Sequence, residues 1–325
     1  MPSTLPQELA QAAERYLTCE LVTIDAAGRP IVWPVTPYFR ADEGCIDITT
    51  GVGYPKKADD ARRNPRVALV FSDPTGCGVA DAPIVLVQGI ARVDDSDLDA
   101  NRERYEREMA QKLPALHALA PSGPLKRFFS WYYDRIYVHV RPERVFVWPQ
   151  GEVEEEPTLY DAHVEEVRSG HNEEPEEGHA PPEGGMDVWD PRLDRLGRDD
   201  PTAVLALVGP DGFPFAVRVP VRAERVGVDV HDARPGVGAP IEAGPACLCA
   251  HSHAEDLTWQ RSYQVRGDLV EYEGRLVLHP HRVVAGLQLP SSSFDRYRVN
   301  VRKILRFRKT ARDRERARSG GETPA

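Results

Sequence analysis

Apolar positions along this chain come in short runs of five to seven residues broken by turn signals, a rhythm that predicts strands rather than long helices. Glu8 to Leu17 suits a short helix, Cys19 to Ile24 a strand, Asp25-Ala-Ala-Gly28 a turn, and Arg29 to Phe39 a returning strand. Ala58 to Arg63 and Ser96 to Lys112 read as helices, the second with Ser96 or Asp97 as its cap and Pro114 beyond its end. Arg135 to Val140 and Val145 to Trp148 read as two strands joined by a turn at Pro142.

The same order returns later in the chain. Pro191 to Leu196 forms a helical turn, Ala203 to Val208 a strand, Gly209 to Gly212 a turn and Phe213 to Val221 a returning strand. Gly28-Arg29-Pro30 and Gly212-Phe213-Pro214 lie 184 residues apart, Arg66–Phe71 matches Ala246–Ala250, and Gln88-Gly89 matches Arg266-Gly267. A repeat at this spacing means duplicated domains, because solenoid repeats recur every ~20–50 residues. Closely spaced short strands with few helices predict barrels or sandwiches, and 325 residues suffice for two domains.

Charge divides the chain further. Residues 151–185 hold 12 acidic residues and one Arg, with Pro and Gly between them, while the other 290 residues carry 40 basic and 39 acidic side chains. Such a segment buries too little apolar surface to offset its ordering entropy, so it reads as a disordered linker. The expected organisation is a first domain over 1–150, the linker over 151–185, a second domain over 186–290, and a basic helix and tail over 291–325. The basic tail reads as a solvated helix meeting the acidic linker; aromatic interleaving is too sparse for a nucleic-acid partner. No run reaches the ~18 apolar residues of a membrane span, and the first residues lack a signal-peptide core, so the expected location is the cytoplasm.

Candidate chemistry is thin. Cys19, Cys45, Cys77, Cys247 and Cys249 form no CxxC pair and read as small buried hydrophobes. Cys247-x-Cys249-x-His251-x-His253 puts four donors on one face of a strand, but same-face residues recur at ~6.7 Å, so the four span about 20 Å and cannot surround one zinc ion. No metal centre is expected. No Ser-His-Asp set, Walker loop or GxGxxG pattern is present. Lys56 and Lys57, two of only six lysines, stand where a strand runs into the short helix, a place suited to an anion.

Gly28-Arg-Pro-Ile-Val-Trp-Pro-Val35, Ile46-Asp-Ile-Thr-Thr50, Lys57-Ala58 and Arg62-Arg-Asn-Pro-Arg-Val-Ala-Leu-Val-Phe71, in this order, resemble the pyridoxamine 5'-phosphate oxidase-like family. The resemblance covers about Leu17 to Trp148. It implies a mainly β (α+β) architecture of two split β-barrels, the second degenerate, packed as an intramolecular pseudo-dimer. The implied cofactor is FMN, with deazaflavin coenzyme F420 as the alternative and haem behind both. The implied activity is a flavin-dependent oxidoreductase on a small-molecule substrate; a non-catalytic flavin or haem binder is the other class. By the same resemblance Lys57, with Lys56 in the place of the family's Arg, holds the phosphate, although Pro55 replaces the family's Ser. Trp33, Pro34, Val35 and Thr36 lie along the ring, with Thr49 and Thr50 on the next strand. Trp259, Arg261 and Gln264 supply contacts from the second barrel. Trp33 stands where the enzyme that names the family has an Arg, and its C-terminal Trp, Gly, Arg and His motif is absent, which argues against pyridoxal phosphate synthesis. The flavin carries the redox chemistry, so no catalytic acid or base is singled out.

Overall fold

The computed structural model describes residues 6–120, 128–149, 151, 153, 155–161, 188–230, 241, 243–286 and 293–319, with side chains of the last segment from 304 to 318. Two antiparallel sheets of matching topology make up most of it. In the first, β1 (Cys19–Ile24), β2 (Pro30–Val35), β3 (Pro37–Arg40), β4 (Cys45–Gly51), β5 (Arg66–Phe71), β6 (Ile84–Asp94) and β7 (Arg135–Trp148) run in the order β2-β1-β5-β6-β7-β4-β3. In the second, β9 (Thr202–Val208), β10 (Pro214–Pro220), β11 (Arg222–Ala223), β12 (Val228–Asp229), β13 (Gly244–His253), β14 (Gln260–Tyr272) and β15 (Arg275–Ala285) run in the order β10-β9-β13-β14-β15-β12-β11. β8 (Thr158–Asp161) pairs with β7.

Closure of each sheet follows from one break. Arg29 to Phe39, read from sequence as a single strand, is interrupted at Thr36, and its halves β2 and β3 lie at opposite edges. A sheet whose two edge strands are joined by one residue must curl until the edges meet. Val221 makes the same break between β10 and β11. Each sheet is thus a split barrel.

β7 is one strand of 14 residues, not the expected two. Pro142 falls where β7 changes neighbours, after its pairing with β4 ends at Val140 and before β8 begins at Arg144. On the other side it sits opposite Gly89, at a bulge where Glu143 of β7 is the extra residue. A proline without an N–H is accommodated at such a position. The acidic segment needs a related correction, because Thr158–Asp161 is strand and the Glu155 carbonyl accepts from Trp148 Nε1 at 3.0 Å. Residues 162–185 of that segment lie outside the described residues.

Helices are few: α1 (Gln7–Arg15), α2 (Lys56–Arg63), α3 (Leu98–Lys112), α4 (Pro114–Ala118), α5 (Ser130–Tyr133) and α6 (Ser293–Ser319). The Asp97 carboxylate caps α3, accepting from the Asp99 and Ala100 amides. The basic helix α6 packs on the first barrel. Phe307 lies 5.3 Å, centroid to centroid, from both Tyr54 and Trp131, and Arg314 pairs with Asp59 of α2 at 2.9 Å. Its described partners are therefore α2, the turn before α3, the Tyr54 loop and α5.

Strand alternation explains how the barrels meet. On β1 and β5, Leu21, Val67, Leu69 and Phe71 fill the first barrel, while Val22, Ala68 and Val70 face outward. On β9 and β13, Ala203, Leu205, Ala246 and Leu248 fill the second, while Val204, Ala206, Cys247 and Cys249 face outward. The two outward sets form one buried cluster with Val32, Leu86, Phe146 and Trp148. Burial on both faces is why these strands carry continuous apolar runs. All five cysteines are free and buried.

Candidate functional site

The most unusual electrostatic feature lies where α2 begins. Lys57 points from the first turn of α2 into a recess, its Nζ 5.8 Å from the Trp33 ring centroid and 5.4 Å from that of Tyr54. Among the described residues no carboxylate or carbonyl accepts from it. Burial, reinforced by the nearby Arg135 charge, lowers its pKa to about 8. The barrel seam is close as well, since Cys249 of β13 acts on the same ammonium.

Arg135 heads β7 and is 6% exposed. Its guanidinium donates to Thr49 Oγ1 at 2.8 and 3.0 Å, to the Tyr54 hydroxyl at 2.8 Å and to the Tyr132 carbonyl at 2.9 Å. The Tyr105 ring lies 4.1 Å from Cζ. Burial disfavours this charge, yet Tyr105, Tyr54, Tyr132 and Tyr38 together hold its pKa above the ordinary guanidinium value. No described carboxylate pairs with it. Buried charges are as a rule paired, so two neighbouring cations without an anion leave a site short of negative charge. Tyr54 joins them, with its face toward Lys57 and its hydroxyl accepting from Arg135. The N-cap of α2, Pro55, offers no side-chain acceptor to the amides of the first turn.

The residues named from sequence fall into three groups. Lys57, Trp33, Thr49 and Thr50 surround the recess; Thr49 is held by Arg135, and Thr50 Oγ1 donates to the Tyr54 carbonyl at 2.9 Å. Pro34 and Val35 end β2, an edge strand of the first sheet, and Thr36 is the break that follows. The Val32 carbonyl on that edge accepts from Gln264 Nε2 of β14, so Gln264 reaches the first barrel, and its Oε1 accepts from Arg266 at 2.8 and 2.9 Å. The third group is committed elsewhere. Lys56 Nζ is bound to Asp60 at 2.8 Å, and Arg261 pairs with Asp200 at 2.8 Å while lying 5.8 Å from the Trp259 ring. The second barrel's counterpart of the α2 region, residues 231–240, lies outside the described residues.

Sequence reading missed Arg135, Tyr54 and Arg266. An arginine opening the apolar strand Ile136–Val140 just after the aromatic run Phe128–Tyr133 was the available signal. A separate groove of about 1230 Å³ lies between α6 and the start of α3. It is lined by charges of both signs, such as Asp97, Glu103, Arg102 and Arg312, and by none of the cofactor-site residues named from sequence. Among the described residues no helix is long and apolar enough to cross a membrane.

No protein-family model matches the chain, nor does any curated protein sequence. Solved structures similar to it include general stress protein 26 from Bacillus anthracis, 14% identical, covering 49% of this chain and 99% of that one at a TM-score of 0.32. A protein related to general stress protein 26, of the pyridoxinephosphate oxidase family, from Clostridium acetobutylicum is 10% identical, covering 48% and 92% at 0.33. A FAD-binding protein from Mesorhizobium loti is 17% identical, covering 44% and 94% at 0.31. Each match takes in nearly the whole neighbour and less than half of this chain.

Proposed function

We propose that the chain binds a phosphate-bearing flavin-type cofactor, FMN in the first instance, in the recess at Lys57, and works with it as an oxidoreductase on a small molecule. The observation that carries this reading is the pairing of Lys57 with Arg135, two cations that share Tyr54 and have no carboxylate among the described residues. A phosphate supplies the missing charge, with Lys57 and the uncapped first turn of α2 as its donors. Trp33 and Tyr54 present aromatic faces beside it. In this reading Pro34 and Thr36, at the end of β2, meet the polar rim of the ring, and Gln264, bonded to the Val32 carbonyl, approaches from the second barrel. Flavin, when bound, supplies hydride chemistry. The protein's part is to fix the ring, to keep Lys57 charged against the phosphate and to exclude water at the seam.

One site per chain follows from this reading, because residues 231–240 contain no lysine to repeat Lys57. Fluorescence titration of cofactor-free protein with FMN and with the deazaflavin coenzyme tests it. Saturable binding of one flavin per chain supports the proposal, and the tighter ligand identifies the cofactor. Binding of neither, or two equivalents per chain, overturns it.

A further inference from the structure

The seam between the barrels holds a second cluster, made of Asp73 from the loop after β5 and His251 and His253 from the end of β13. One nitrogen of each imidazole and one oxygen of Asp73 lie within 4.8 Å of one another. His251 Nδ1 is 3.7 Å and His253 Nε2 3.6 Å from the same oxygen, Asp73 Oδ2, and the two rings stack 6.2 Å apart at 4°. These separations are too long for hydrogen bonds. They are close to the ~3.3 Å between two ligands bound at ~2.0–2.1 Å to one tetrahedral ion.

Hydrogen bonding on the far side of each ring decides which nitrogen carries a lone pair. His253 Nδ1 lies 2.9 Å from the Ala254 carbonyl, which can only accept, so the proton is on Nδ1 and Nε2 carries the lone pair, which the Thr18 hydroxyl meets at 3.1 Å. His251 Nε2 meets the Glu20 carboxylate, which Arg218 at 3.1 Å and the Ser72 hydroxyl at 2.9 Å keep charged. Arg218 Nη2 also lies 3.0 Å from His251 Nε2, but the closer Glu20 oxygen can only accept, which puts a proton on Nε2 and leaves Nδ1 as the nitrogen turned to Asp73. Both nitrogens lie beside one carboxylate oxygen, Asp73 Oδ2. The other oxygen of Asp73 accepts from the Thr75 amide at 3.1 Å, which fixes the group. An outward N–H held by a carboxylate or carbonyl is the arrangement that orients metal-binding histidines.

We propose that Asp73, His251 and His253 form a binding site for one divalent transition-metal ion of the zinc class, bridging the two barrels, with Glu20 as the residue that positions His251. Two imidazoles and a carboxylate leave a fourth position for water. The Thr18 hydroxyl, 3.1 Å from His253 Nε2, turns away when the ion binds. Glu20, Asp73 and Arg218 sum to one negative charge, which favours a cation. The other such cluster, Cys45, Asp47 and His139, lacks this arrangement: His139 Nδ1 bonds Asp47 directly at 2.6 Å, and burial raises the Cys45 thiol to about 12. The strand-spacing argument against Cys247-x-Cys249-x-His251-x-His253 still stands for four ligands; the third ligand comes from the other barrel, 178 residues away.

The test uses tag-free full-length protein stripped with chelator and titrated with Co2+, then displaced with Zn2+. Expected are one ion per chain at micromolar affinity, the intense visible bands of four-coordinate cobalt, and two hyperfine-shifted exchangeable imidazole protons. Asp73→Asn and His253→Gln should each abolish the bands, and Glu20→Gln should weaken binding roughly 10- to 100-fold. No saturable Co2+ binding by the wild type, or bands unchanged in folded Asp73→Asn and His253→Gln, overturns the proposal. Should those variants fail to fold, the wild-type proton spectrum decides, and fewer than two shifted imidazole protons overturns it.

Discussion

Gln264 Nε2 of the second barrel donates to the Val32 carbonyl of the first, while Gln88 Nε2 of the first donates to the Pro214 carbonyl of the second at 2.9 Å. In each case a side chain from β6 or its counterpart β14 satisfies the outer edge of β2 or its counterpart β10. The barrels thus cap each other's edge strands, which would otherwise present unpaired backbone groups. Gln264 is fully buried. Gln264→Leu leaves the Val32 carbonyl and Arg266 without their partner and is expected to cost about 1–3 kcal/mol. Urea unfolding measures it, and an unchanged midpoint would show that the seam does not depend on this contact.

The lowered pKa of Lys57 gives two opposite pH effects. Without ligand, the unfolded chain keeps a proton that the folded chain releases between about 8 and the ordinary lysine value of 10.5. Stability of the cofactor-free protein should therefore rise with pH across that interval, and Lys57→Met should lessen the rise. Ligand binding reverses the sign, because a phosphate favours the charged amine. FMN affinity should fall as pH climbs through about 8, and calorimetry near pH 8 in buffers of different ionisation enthalpy should reveal proton uptake. In Lys57→Met the fall of FMN affinity through pH 8 should vanish, with affinity down on the order of 10- to 100-fold, a charge-assisted hydrogen bond's worth.

Asp47, buried on β4, accepts from His139 Nδ1 at 2.6 Å and from Arg104. Burial alone would raise its pKa; the hydrogen bonds from His139 and Arg104 overcome that and hold it below the ordinary carboxylate value. Its contribution to stability is present above the unfolded aspartate pKa and is lost as pH falls through the lower folded value. Asp47→Asn should cost about 1–3 kcal/mol at neutral pH, since it removes the carboxylate that Arg104 and His139 share while Arg104 keeps Glu108 at 2.7 Å. The acid limb of the stability curve should flatten in the same variant, as thermal melts at a series of pH values would register.

Two glycines should respond very differently to alanine. Gly28 has φ +74° in the β1–β2 turn with open space around it, so Gly28→Ala meets only the left-handed backbone penalty of about 1–2 kcal/mol. At Gly89 an added Cβ would lie 2.4 Å from the Arg141 carbonyl oxygen, across the bulge that receives Pro142. Gly89→Ala should cost upward of about 3 kcal/mol. Equal midpoints for the two variants in denaturant would contradict the close approach at the bulge.

What the sequence determined by itself was local or repetitive. The strands follow from short apolar runs, the turns from Gly28 and Gly212, the α3 cap from Asp97, and the duplication from anchors 184 residues apart. Even two-sided burial was legible, because Leu21-Val22 and Leu205-Ala206 are apolar at both parities of the strand period. Strand boundaries were less so: the breaks at Thr36 and Val221 and the continuity of β7 through Pro142 depend on which neighbour each residue pairs with. Only the tertiary structure decided which charges are answered. Lys56 and Lys57 are adjacent in sequence, yet one is tied to Asp60 and the other faces Arg135 across an aromatic recess. Asp73 meets His251 and His253 because the loop after β5 and the end of β13 come together at the seam. Local periodicity sets which way a side chain points, but a site's charge balance and ligand set are sums over residues that only long-range packing brings within a few ångströms.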